Sequence, residues 1–161
     1  MHSTIFQLSI SPIEREDYLR LDNVEAGEMV SVGYLYEGTP ESTANDIHHL
    51  VEYVLPKGMF TLNADNSLTY NGGINKWRRY YLDLILTKAK AITPQNIMEY
   101  IGPAYQLEKA IVNPLGTEML FVTESYRGGG VAERSAELMR MVSGLQKGDK
   151  IYIGAVYGYH N

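Results

Sequence analysis

Residues 150–160 constrain the fold more than any other segment. Ile151, Ile153, Ala155 and Tyr157 alternate with Tyr152, Gly154, Val156 and Gly158, and neither set carries a charge. Side chains along a strand point alternately to its two faces. A strand uncharged on both faces must be covered on both, so this one is expected at the centre of a sheet.

Further elements follow from the same reading. Residues 4–10 alternate, with Phe6, Leu8 and Ile10 on one side, as in a half-buried strand. Ser11-Pro12-Ile13-Glu14 has the pattern of a capping box opening a short helix. Residues 29–36 read as a strand interrupted by Gly33. Thr39-Pro40 starts a helix whose apolar stripe is Ala44, Ile47, Leu50, Val51, Val54 and Leu55. It stops at Pro56-Lys57-Gly58, and residues 59–70 then predict a hairpin turning at Asn63–Asn66.

From Ile74 a helical pattern runs to Ile92, with a strand over 81–86 as the competing reading. Thr93-Pro94 predicts another helix start, broken at Gly102-Pro103 and resumed to Asn113-Pro114. Residues 118–123 form a compact strand, and Val131, Leu138, Val142 and Leu145 a last helical face. The irregular mixture of helices and strands predicts an α+β fold. One domain is expected over residues 1–161, with a mixed or mostly antiparallel sheet of about five strands and four main helices packed on it.

Charge narrows the partners. Lys and Arg number 14 against 19 Asp and Glu, a formal net charge of −5. A nonspecific DNA binder is normally basic, and a DNA mimic far more densely acidic. The chain lacks cysteine, which rules out thiolate metal sites and a cysteine nucleophile. Its start has no positively charged segment leading into a long apolar run, and no stretch is long and apolar enough to span a bilayer. A soluble, cytoplasmic, bacterial-style protein without signal peptide or membrane contact is the expectation. No cofactor is implied.

Four features carry candidate chemistry. His48, His49 and Glu52, with Asp46, share helix faces at spacings of three and four, suited to a divalent metal or to acid–base work. The plainer reading is a solvated helix face. Arg127-Gly128-Gly129-Gly130, leading towards Arg134, resembles an anion-cradling loop but lacks the P-loop and dinucleotide patterns. Thirteen tyrosines against three phenylalanines favour interfaces, with Tyr34, Tyr36, Trp77, Tyr80 and Tyr81 as first suspects. His160 stands alone near the carboxyl end, and no nucleophile elbow or triad order is present. These features predict a non-catalytic protein-interaction or regulatory module that binds a protein partner or itself as a homodimer. The alternatives are a phosphate- or nucleotide-binding protein or enzyme built on residues 127–130, and a mobile-element protein contacting nucleic acid or a nuclease. The nucleic-acid reading requires Lys76, Arg78, Arg79, Lys88 and Lys90 to share one face.

Overall fold

The computed structural model describes residues 2–26, 34–123 and 131–160. Strand β8 (Lys150–His160) is the spine of the sheet. Strand β1 (His2–Ser9) lies antiparallel along one of its edges, from His2 beside His160 to Ser9 beside Tyr152. The other edge is shared. Strand β5 (Leu68–Tyr70) pairs with Lys150 and Ile151, and strand β3 (Tyr34–Glu37) with Tyr157 to His160. Strand β4 (Phe60–Leu62) extends the sheet beyond β5, and β6 (Leu120–Val122) adds a parallel neighbour to β1. The sheet is therefore mixed and six-stranded, in the order β4-β5-β8-β1-β6 with β3 on β8. The short strands β2 (Glu25–Ala26) and β7 (Val131–Ala132) form a separate parallel pair.

Both faces are covered, as the uncharged final strand requires. On one, Phe6, Leu8, Phe121 and Ile151 meet Ile47 and Leu50 from helix α1 (Pro40–His49) and the turn after it. Leu138 and Val142 of helix α4 (Ser135–Ser143) join the same core. On the other face, Ile5, Leu120, Ala155 and Tyr157 meet Val24, Leu19 and Leu21 of the irregular segment that follows β1. Apolar contact on both sides stabilises the sheet without a second helical layer.

Local chemistry explains most element boundaries. Thr39 caps α1 by accepting from the Ser42 amide at 3.1 Å, with Pro40 in the first turn. The stripe Leu50–Val54 continues α1 as a wide π turn, in which Leu55 N donates to Leu50 O at 2.9 Å. Ala44, counted in that stripe, is exposed. The hairpin turns at Asn66 with φ 66°, and Asp65 accepts from the Ser67 amide at 3.0 Å. Residues 74–90 form helix α2 (Ile74–Lys90) and not a strand.

Several expected elements differ. β1 is buried on both faces, with Phe6 and Leu8 in the first core and Ile5 in the second, because it lies between β8 and β6, and Ile10 is exposed beyond its end. Ser11 caps no helix: its amide donates to Ser9 Oγ at 2.9 Å, and only single turns occur at Arg15–Asp17 and Leu21–Asn23. The segment lacks an apolar stripe, so no face drives a helix there. Residues 94–98 form turns, because the Asn96 side chain accepts from Thr93 N and donates to Ala91 O, both at 2.9 Å. Helix α3 (Pro103–Val112) begins only after Gly102. Val131 belongs to a strand, and α4 starts at Ser135. Of the expected strand over 29–36, residues 34–36 lie in β3, and 29–33 fall outside the described residues.

Candidate functional site

Helices α2 and α3 form an antiparallel arm. At about 1.5 Å per residue, the 17 residues of α2 make it roughly 25 Å long. Ile74 and Trp77 root it in the main core, and Ile74 and Ala110 are the buried residues of the two helices. Tyr81 fastens one helix to the other: its hydroxyl donates to Ala110 O at 3.2 Å and Ile111 O at 3.3 Å. Burial raises the Tyr81 pKa, with Arg140 opposing, so the hydroxyl stays protonated and able to donate. Trp77 stacks on Tyr81 with ring centroids 5.1 Å apart.

The outer surface of the arm exposes several large apolar side chains. Among the described residues, thirteen large apolar side chains are exposed, and nine of them lie between 74 and 112. Tyr80, Leu82 and Leu86 belong to α2, Tyr105 and Ile111 to α3, and Ile97, Met98, Tyr100 and Ile101 to the connector. Met98 and Tyr100 are 90% and 91% exposed. Single exposed apolar residues are commonplace, whereas among the described residues they are concentrated here on two helices and their connector. The same segment holds six Lys or Arg and three Asp or Glu, so it is net +3 in a chain of net −5.

No family model, curated protein or solved structure matches this chain.

The tyrosines named from sequence divide into two sets. Tyr81 and Trp77 are engaged inside the arm as described. Tyr80 is 62% and Tyr34 65% exposed. Tyr36 stacks on Tyr34 at 6.2 Å and lies 5.6 Å from the His160 ring. Other tyrosines tie backbone together. Tyr159 donates to Glu118 O at 2.6 Å, Tyr157 to Leu19 O, and Tyr70 accepts from Ile74 N at 3.1 Å. Part of the tyrosine excess thus serves the fold: a ring fills the core while its hydroxyl satisfies a main-chain group.

The histidine cluster stays spread along the surface. His48, His49 and Glu52 are exposed, and the His49 ring lies 5.2 Å from the Tyr53 ring. Asp46 hydrogen-bonds to Thr4. Among the described residues no three His, Asp or Glu side chains come together to hold a metal. Arg127, Gly128, Gly129 and Gly130 lie outside the described residues. Arg134 is held by Glu118 at 3.4 Å.

The five clustered cations do not share a face. At about 100° per residue, Lys76, Arg79 and Lys90 project on one side of α2, while Arg78 and Lys88 point well away from them. Asp83 stands among the first three. Among the described residues no helix is long and apolar enough to cross a membrane.

The connector does not follow the helix-start pattern at Thr93-Pro94. A helix is expected there, but the Asn96 side chain holds residues 94–98 in turns, so Ile97, Met98, Tyr100 and Ile101 have no helical face on which to be buried. The available signal was the density of apolar residues beside the helix-breaking pair Gly102-Pro103.

Proposed function

We propose that this protein is a non-catalytic, cytoplasmic interaction module whose partner surface is the α2–α3 arm, with the Ile97–Ile101 connector as its tip. The observation that supports this is that, among the described residues, nine of the thirteen exposed large apolar side chains lie on the arm. Burying such side chains against a partner contributes roughly 25 cal/mol per Å² of apolar surface, before the costs of association. Exposed aromatic and methionine side chains at a projecting tip are the residue types enriched at interface centres. Within the homodimer reading, Trp77 and Tyr81 serve the arm itself and Tyr36 packs between Tyr34, His160 and Gly158, leaving Tyr34 and Tyr80 as the exposed tyrosines of that set.

The test is the triple substitution Met98→Ser, Tyr100→Ser, Ile101→Ser. All three side chains are exposed, so stability should change by no more than about 0.5 kcal/mol per site. The complex that the chain forms in its producing cells should be lost, as read by its elution on size exclusion. An unchanged complex contradicts the reading.

A further inference from the structure

At the root of the arm, away from its tip, lies a cleft of about 530 Å³. One wall is the turn Pro56–Met59, and the other is the first turns of α2 with the Asn71-Gly72-Gly73 segment that leads into it. Trp77, Tyr80 and Met59 make the apolar lining, and Lys57 and Lys76 stand one on each wall. We propose that this cleft binds an acidic segment of a partner protein, seating one aromatic or aliphatic side chain against Trp77 and Tyr80 while flanking carboxylates meet Lys57 and Lys76.

Three observations carry the assignment. The first is that the walls are braced. Asn71 N donates to Met59 O at 2.8 Å, and Asn71 Nδ2 donates to Gly58 O at 3.2 Å and Thr61 Oγ1 at 2.9 Å. Gly58, Gly72 and Gly73 hold φ of 77°, 92° and 103°, which glycine adopts without strain. The cleft is thus a formed feature, within the range of roughly 300–1,000 Å³ usual for ligand sites.

The second is charge. Among the described residues neither Lys57 nor Lys76 is ion-paired. Two cations from different walls suit carboxylates spaced on either side of an apolar residue better than a single compact anion. They also disfavour a basic segment, including the +3 arm of a second copy.

The third is the aromatic lining. Trp and Tyr supply large contact area at small entropic cost, and Trp77 is already fixed by its stack on Tyr81. The cleft and the tip lie at opposite ends of α2, so this assignment goes beyond the reading of the tip and stands or falls separately.

Trp77 is the chain's single tryptophan, so its emission reports the cleft directly. The probe is acetyl-Asp-Glu-Phe-Glu-Asp-amide, which contains no tryptophan. Titration should shift or quench Trp77 emission with saturation, and the effect should weaken as salt rises. The isosteric acetyl-Asn-Gln-Phe-Gln-Asn-amide should bind at least about tenfold more weakly. The double variant Lys57→Glu, Lys76→Glu should show a similar loss while keeping the wild-type circular dichroism spectrum, since both side chains are exposed. No response to the acidic peptide at millimolar concentration overturns the proposal. So does equal binding of the neutral peptide, or an undiminished response in the double variant. Phenylacetate binding as tightly as the peptide also overturns it, and marks a small-molecule site instead. If the serine triple variant loses its complex while this titration fails, the tip reading survives and the cleft assignment alone is lost.

Discussion

Gln7 Oε1 accepts a hydrogen bond from the Ala155 amide at 3.0 Å, at the one place where β1 and β8 fall out of register. Phe6 faces Val156 and Leu8 faces Ile153, so β8 carries an extra residue opposite Gln7. Such a bulge frees main-chain groups from the ladder. The same oxygen also accepts from Leu19 N at 3.0 Å, and Gln7 Nε2 donates to Asp17 O at 3.1 Å. One side chain thus satisfies the bulge and holds the irregular segment over the second core. Gly154 is required beside it, because a Cβ there would overlap the Gln7 carboxamide.

Gln7→Leu should therefore cost about 2–4 kcal/mol, since it strands main-chain amides that were paired. Urea unfolding measures the loss. Amide exchange should accelerate first in residues 15–24, held by this side chain and by Tyr157. A cost below about 0.5 kcal/mol, as at an ordinary surface site, contradicts the role assigned to Gln7.

Tyr36 lies across Gly158, its partner in the β3–β8 pairing, and a Cβ at 158 would sit within the Tyr36 ring. Gly158→Ala should destabilise by about 1–3 kcal/mol through overpacking. In a Tyr36→Ala background the same substitution should cost clearly less, because the obstructing ring is gone. A double-mutant cycle by thermal unfolding checks this. Additive costs would show that the two residues do not interfere.

Two carboxyls should respond to pH with opposite sign. Burial raises Asp46 above 3.8, against the lowering effects of Thr4 and His49. Hydrogen bonds from the Ser67 hydroxyl and amide lower Asp65 below 3.8. A raised folded-state pKa contributes stability that is full below 3.8 and lost as pH rises through the folded value. A lowered one contributes stability present above 3.8 and lost as pH falls through the folded value. Relative to Asp46→Asn, the wild-type midpoint should rise as pH falls through the raised Asp46 pKa towards 3.8. Relative to Asp65→Asn, it should fall as pH drops below about 4. Thermal unfolding across a pH series measures both differences, and a common sign contradicts the assignment.

Helix α1 separates a structural from a surface position. Leu50 in the turn that extends it is fully buried, and Leu50→Ala should cost about 2–5 kcal/mol. His49 is exposed, and His49→Ala should change stability by about 0.5 kcal/mol or less. Stoichiometric zinc binding that vanishes in His48→Ala and His49→Ala would reverse the surface reading.

What was legible in the sequence follows from what is local. The central place of the uncharged β8, the Thr39-Pro40 cap and the turn at Asn63–Asn66 each depend on residues a few positions apart, and each formed as expected. The alternation along β8 did not persist: the extra residue opposite Gln7 puts Ile151, Ile153 and Val156 in the first core and Ala155 and Tyr157 in the second. The segment after β1 was misread because its order comes from Gln7 and Tyr157, which reach it across the sheet. Val131 was drawn into a helix because its strand partner, Glu25, lies more than a hundred residues away. Lys57 and Trp77 share a cleft only through the Asn71 braces, which no spacing rule encodes. The connector stays in solvent because Asn96 ties it into turns, which the Thr93-Pro94 helix-start pattern does not reveal.

The arm as partner surface is the central claim, and site-specific photo-crosslinking tests it most directly. A photoreactive residue replaces Tyr100 at the tip, or as a control the exposed Ala64 in the hairpin turn, and the chain is expressed in its producing cells. The account predicts one discrete protein adduct from position 100, abolished by Met98→Ser with Ile101→Ser, and none from position 64. No adduct from the tip, or equal adducts from both positions, would contradict it.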